Sequence, residues 1–348
     1  MLVSNLNPQA RRMAKRRAYR LQHVALVIVI AAQLTGCGKS ENSDGGVPPK
    51  ITAGEITPAD ERAWLDTSAL VYTSDYFSFV GRDARGFVAF ALDNNRGRDG
   101  KEYQAEHATA LYDEKAGWIG IAGTGRFENV HRELVGIPDS PFFQFTGDVK
   151  TGITILSPRN GLDLEVGPMA QRVIRHDNRT FYALGTAPAK LHWDQRTITG
   201  RVIYEDFIRT NFNRMTRPSP SLFKGFNAFY LLTDNGGDLY MRSSNATSLS
   251  VPEPVLGFRV ENGSSEILED LHVEETSHSL AWGLYRWPTS WRASWLGPEG
   301  RTTLNLHLLS RKGMVNWVIG GYSLSIVTGE VSYGGKTMAV YGWGELIR

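Results

Sequence analysis

The chain holds a single cysteine, Cys37, in 348 residues. One thiol excludes an internal disulfide and is a poor start for a metal site. Also missing are the Gly-x-Ser-x-Gly elbow of serine hydrolases, a phosphate-cradling glycine loop and the His-Glu-x-x-His pair of zinc proteases. Those three chemistries therefore lose their usual signatures. Charge of either sign is not in excess: 38 Lys and Arg stand against 36 Asp and Glu, a formal net +2. Arg11, Arg12, Lys15, Arg16, Arg17 and Arg20 crowd the start, so the remainder lacks the basic face of a nucleic-acid binder. No cofactor, no metal and no nucleic-acid partner are expected. His272 and His278 are the nearest approach to a ligand pair, and six residues of strand put them on one face but well apart.

What the opening does contain is ordered. The basic block is followed by an apolar core, Val24 to Ala32, too short to span a bilayer comfortably, then by Leu34, Thr35, Gly36 and Cys37. This run is similar to the lipobox of bacterial lipoproteins. The resemblance implies cleavage before Cys37, a diacylglycerol on its sulfur and a second acylation of the new amino group, which together anchor durably. Gly38 in place of aspartate implies the outer membrane, with the body facing the periplasm. Met13 would give a shorter, more ordinary signal if it were the start. Residues 1–36 are thus expected to be a signal peptide. Residues 37–57, polar and rich in Gly, Pro and Ser, are expected to be a flexible tether.

The body is rich in turns and rings, with 36 glycines and 11% aromatic residues, which favours strands. Thr57, Pro58 and Asp60 predict one short helix. No long amphipathic helix is legible. Hairpins are predicted around Gly81–Gly86, Asp113–Gly117, Asp194–Thr197, Asp234–Gly237 and Tyr333–Gly335. Successive hairpins point to an all-β antiparallel meander, and the length suits two domains, at 58–190 and 191–348. A faint repeat pairs "GFVAFALDNN" with "GFNAFYLLTDNG".

The order of motifs is more particular. "SDYFSF" and "EHATALYD" come first; "ITGRVIYEDF", "FNAFYLLTDNGGDLYM", "YRWPTSW" and the closing "GWGELI" follow. This order resembles the AttH and carotenoid 1,2-hydratase (hydroxyneurosporene synthase-like) superfamily. The resemblance implies two lipocalin-like β-barrels packed side by side, and for some members hydration or cyclisation of isoprenoid double bonds. Where hydratase-type members carry Asp-His and then Trp, this chain has Glu205, Asp206 and Phe207. Ile319, Gly320 and Gly321 replace the expected Trp-Glu-Gly.

Alternation alone puts Ile203, Glu205 and Phe207 on one strand face and Val202, Tyr204, Asp206 and Ile208 on the other. Whichever face is buried carries a carboxyl among apolar groups, raised in pKa and suited to general-acid work, or else paired with Arg201, Arg209 or Arg242. Glu205, Asp206 and His107 are the candidate catalytic residues. Tyr204, Tyr341, Trp343 and Glu345 are candidate ligand-binding residues, and Cys37 is the candidate lipidation site. Trp287 and Trp291 are expected to pack.

Three readings follow. The first is an envelope lipoprotein that binds a hydrophobic small molecule, lipid or isoprenoid, inside a barrel. The second is a carboxylic-acid hydratase, cyclase or isomerase of such molecules. The third is a non-catalytic scaffold partnering an envelope transport complex.

Overall fold

A computed structural model describes residues 50–54, 68–128, 134, 140–169, 172–176, 180–211, 226–244, 256–261, 264–281, 285–317 and 320–347. The signal segment, Cys37 and the short helix expected from Thr57 lie outside the described residues.

The first sheet contains β1 (Lys50–Gly54), β2 (Leu70–Asp83), β3 (Gly86–Asp99), β4 (Glu102–Asp113), β5 (Gly117–Ile119) and β6 (Gly125–Glu128). It continues through β7 (Gln144–Asp148), β8 (Gly152–Ser157), β9 (Leu162–Val166), β10 (Arg172–His176), β11 (Thr180–Trp193) and β12 (Arg196–Thr210). The second contains β13 (Phe226–Thr233), β14 (Asp238–Ser244), β15 (Leu256–Glu261), β16 (Ser264–Ile267) and β17 (Glu269–Ala281). Then come β18 (Tyr285–Gly297), β19 (Gly300–Trp317), β20 (Gly320–Tyr333) and β21 (Lys336–Ile347). Every described pairing is antiparallel between the strands named below, and the fold is all-β, two lipocalin-like barrels side by side.

All five predicted hairpin turns are present. The last one shows why local chemistry sufficed: Gly334 and Gly335 both adopt positive φ, 52° and 73°, as a tight two-residue turn requires. Two boundaries differ from expectation. Part of the tether is strand: Lys50–Gly54 pairs with β10, supplying partners to an edge that would otherwise be open. The division at 190/191 falls inside β11, and β12 pairs with both β11 and β2, so the first sheet runs on to Thr210.

The path of the first sheet is β5-β4-β3-β2-β12-β11-β9-β8-β7, and that of the second is β16-β15-β14-β13-β21-β20-β19-β18-β17. Strand for strand these are the same nine-strand order, with β1, β6 and β10 as additions to the first. The architecture is therefore duplicated. The counterpart of β13 is β2, not β3, so the two similar segments noted in the sequence occupy different places in their repeats.

In each repeat the first strand lies against the last, and these strands form the contact between the sheets. Alternation divides them cleanly. Phe77, Phe79, Val202 and Tyr204 face the interior of the first barrel, while Tyr76, Val80 and Ile203 face the second sheet. The second sheet answers with Ala228, Tyr230, Leu232, Tyr341 and Trp343, and fills its own barrel with Phe229, Leu231, Trp291 and Trp295. Burying each large side chain contributes roughly 1.5–3 kcal/mol, so an interface of this composition behaves as a third core. Trp343 illustrates the fit: it is fully buried, and its indole N–H donates across the interface to the Phe79 carbonyl at 3.2 Å.

Candidate active site

Glu205 projects from β12 into the space between the sheets and not into a barrel. Its residue is 7% exposed. Tyr230, on β13, donates its hydroxyl to Glu205 at 2.7 Å and lies 3.1 Å from a carboxyl oxygen of Glu345, on β21. One phenol thus bridges two carboxyl groups from different barrels. The two acids are equivalent in the duplication: each sits on the last strand of its repeat, opposite the first strand, Glu205 against Tyr76 and Glu345 against Ala228.

Rings and one cation surround the pair. The Tyr182 and Tyr240 hydroxyls are 2.6 Å apart beside Glu205. The Arg242 guanidinium lies 4.0 Å from the centre of the Phe226 ring and 3.5 Å from the Tyr182 hydroxyl. Arg242 and Glu345 keep partial exposure, so the cluster is not sealed from solvent.

Desolvation raises both carboxyl groups above their ordinary range. For Glu205 the Arg242 charge and the hydroxyls of Tyr182, Tyr230 and Tyr240 oppose that effect. For Glu345 the negative charges of Glu205 and Asp93 add to desolvation, and its pKa is pushed up to about 8. The environments therefore assign different roles: Glu345 holds a proton at neutral pH, and Glu205 is the better placed of the two to carry charge.

The expected catalytic set is divided by the sheet. Asp206 follows Glu205 and so faces the interior of the first barrel, 4% exposed. There it heads a row across four strands: Asp206 opposite Asp75, Asp75 opposite Asn94, and Asn94 opposite His107. Tyr204 belongs to this interior as well, donating its hydroxyl to Asp75, which also pairs with buried Arg96. His107 is completely buried, with Nε2 2.9 Å from the Asn94 side-chain oxygen and Nδ1 3.3 Å from Ser140 Oγ. Desolvation, reinforced by the Arg96 charge, pushes its pKa down to about 3, so it is a neutral hydrogen-bonding group and no acid at neutral pH.

Of the seven described candidates, Glu205 and Glu345 come together, and Tyr341 and Trp343 share their interface. Asp206, His107 and Tyr204 form a separate interior layer. The arginine pairing expected as an alternative for Glu205 goes elsewhere in one case: Arg201 pairs with Asp238 at 2.5 Å. Sequence reasoning missed Tyr76, Tyr182, Tyr230 and Tyr240. Tyr230 lies in a strand buried at every position, where a period of two carries no signal.

Two hollows lie away from this cluster. One, of about 10 Å³, is lined by Leu239, Trp295 and Val331 in the second barrel. The other is an open depression of about 500 Å³ over the β11–β12 turn at Trp193 and Arg196. It is some nine residues along β12 from Glu205, about 30 Å at strand rise.

Solved structures match this arrangement over most of its length. The crystal structure of a protein assigned as AttH from Nitrosomonas europaea aligns with a TM-score of 0.56 at 12% identity, covering 87% of this chain and 99% of that one. The chain has this double-barrel fold. Kievitone hydratase from Nectria haematococca aligns with a TM-score of 0.50 at 8% identity, covering 84% of this chain and 92% of that one. No protein-family model matches the sequence, and no curated protein matches it. Identities this low establish the shared fold and leave the chemistry to be argued from the residues.

Proposed function

We propose that this protein is an acid–base enzyme for an apolar, unsaturated small molecule of isoprenoid or lipid type, adding water across a carbon–carbon double bond or shifting one. The observation that carries the reading is the Tyr230 hydroxyl bridging Glu205 and Glu345. In the forward direction Glu345 delivers its proton to one alkene carbon, whose π pair forms the new C–H bond. Water then attacks the neighbouring cationic carbon and loses a proton to Glu205. Tyr230, in contact with both acids, returns that proton to Glu345 by giving up its own and taking the one gained. Tyr76, Tyr182, Tyr240 and Phe226 offer ring faces to the developing cation. The name of one structural relative, a hydratase, agrees with this reading.

The test is deuterium uptake. The full chain is incubated in heavy water with a panel of apolar alkenes, and carbon-bound deuterium is read by mass spectrometry. Wild type should exchange, with Glu205→Gln and Glu345→Gln each at least tenfold slower. A wild-type protein that binds an isoprenoid without exchanging it would instead be a carrier. That reading takes second place because carriage needs no bridged acid pair, and because large rings occupy the barrels that would hold a cargo, Phe77, Phe79, Phe90 and Phe143 in one and Trp287, Trp291 and Trp295 in the other. The enclosed hollow beside Trp295 has room for one water at most. For the scaffold, among the described residues Leu296 and Leu309 are the large hydrophobics left exposed, a small basis for a docking patch.

We also propose that Cys37 is lipidated and holds the body at the outer membrane, facing the periplasm. The support is the succession of basic block, apolar core, small residues and cysteine. Cys37→Ser should move the protein from the membrane fraction to the soluble one; tight association of the serine variant would sink the proposal.

A further inference from the structure

Of the hydroxyls of the four tyrosines gathered around Glu205, three are engaged: Tyr182 with Tyr240, and Tyr230 with both acids. The fourth is not. Tyr76 is 4% exposed, and its hydroxyl is buried with no hydrogen-bond partner. It is nevertheless aimed into the cluster. Tyr76 sits opposite Glu205 on the neighbouring strand, its ring centre is 5.1 Å from that of Tyr230, and its phenol feels the charges of Glu345, Asp93 and Glu205. A buried donor left without an acceptor is costly, and among the phenols around Glu205 the Tyr76 hydroxyl is the one so placed, open to an acceptor brought in by a ligand.

The surroundings specify that group. With Glu345 protonated, Glu205 and Asp93 stand against one cation, Arg242, so a carboxylate or phosphate would be repelled. Hydroxyl donors are already plentiful here. A neutral acceptor fits best, and the one that profits from a donor during proton transfer is a carbonyl oxygen on which negative charge develops.

Resting on the acid–base reading above, we infer that the substrate is an enone, its reacting double bond conjugated to a carbonyl, and that Tyr76 holds the carbonyl oxygen. With that oxygen held, the two proton transfers run in the opposite order. Water bonds to the β carbon as Glu205 takes its proton. The alkene π pair becomes the new double bond toward the carbonyl carbon, and the carbonyl pair moves onto the oxygen, where the Tyr76 O–H meets it. The resulting enolate collapses, and its α carbon takes the proton of Glu345. One water is consumed and one proton passes from Glu345 to Glu205, for Tyr230 to return.

The experiment uses the full chain with two probes: benzylideneacetone, and the hydrocarbon analogue in which a methylene replaces its carbonyl. Binding is followed by tryptophan fluorescence and the bound carbonyl by its infrared band. Wild type should prefer the enone by about tenfold, the size of one buried hydrogen bond, with the band shifted to lower wavenumber. Tyr76→Phe removes only an unbonded hydroxyl. It should bind the hydrocarbon as wild type does, lose the preference and abolish the shift. Equal binding of the two probes by wild type, or a preference and band shift that survive in Tyr76→Phe, would overturn the inference and leave the acid–base reading standing. Failure of wild type to bind either probe would reject both the enone and an apolar substrate between the sheets.

Discussion

Replacing Asp75 with asparagine should destabilise the protein by about 3–5 kcal/mol, although Asp75 touches neither of the two bridged acids. Asp75 and Arg96 are 3% and 1% exposed, deep in the first barrel, and pair there directly. Tyr204 donates to the same carboxylate. The amide keeps the shape but removes the charge that compensates a guanidinium withdrawn from water. The double replacement Asp75→Leu with Arg96→Met should recover most of the loss, because a buried pair contributes far less than half of one costs. Chemical denaturation of the three proteins measures both effects. A single-variant loss under about 1 kcal/mol would mean that water reaches this layer and that the barrel is open where the packing says it is closed.

Stability should also fall as pH rises from about 5 to about 8, and Glu345 should account for much of the fall. Its pKa is 4.5 when unperturbed and about 8 in the fold. Below the lower value both states hold the proton and nothing is lost. Between the two, the unfolded chain releases a proton that the native state retains, so the unfolded state gains ground with each unit of pH. Above the higher value the loss is complete. Each unit is worth about 1.4 kcal/mol. Allowing for the partial exposure of Glu345, the difference between wild type and Glu345→Gln should change across this window by on the order of 3 kcal/mol. Glu205 and Asp238, also raised, add slope of the same sign, which is why the comparison with the glutamine variant is the informative quantity. Parallel stability curves for the two proteins would show that Glu345 is ionised in the fold.

The sequence was readable where the determinants are local. Hairpins announced themselves through Asp-Asn-Gly-Gly and Tyr-Gly-Gly, because only certain residues accept the turn dihedrals. A carboxyl on each face of β12 followed from alternation; that both faces are buried came only with the fold. Which face looks into a barrel did not follow, since that depends on which strand pairs beside β12, and β2 lies more than a hundred residues away. For the same reason the hairpin of β11 and β12 was legible while its membership of the first barrel was not. Asp206 and His107, grouped with Glu205 as candidates, lie in one interior row on the other side of the sheet from it. Adjacent residues of a strand are neighbours in sequence and strangers in space. The bridging tyrosine was hidden in a strand with two buried faces, where only the folded register distinguishes Tyr230 from Phe229.

The duplication has a historical corollary. In each repeat the first and last strands lie side by side, Val71 beside Thr210 in one and Phe226 beside Ile347 in the other. A single repeat therefore begins and ends at the same spot, and two copies of one ancestral gene could be fused head to tail without rerouting a strand. An ancestor made of two identical copies facing each other would have presented the same glutamate twice, a pair of equals sharing one proton. In the present chain Tyr230 stands where the other copy has Ser78, and Arg242 where the other has Asp93. Donor and acceptor would then be the descendants of a single residue, told apart by their neighbours.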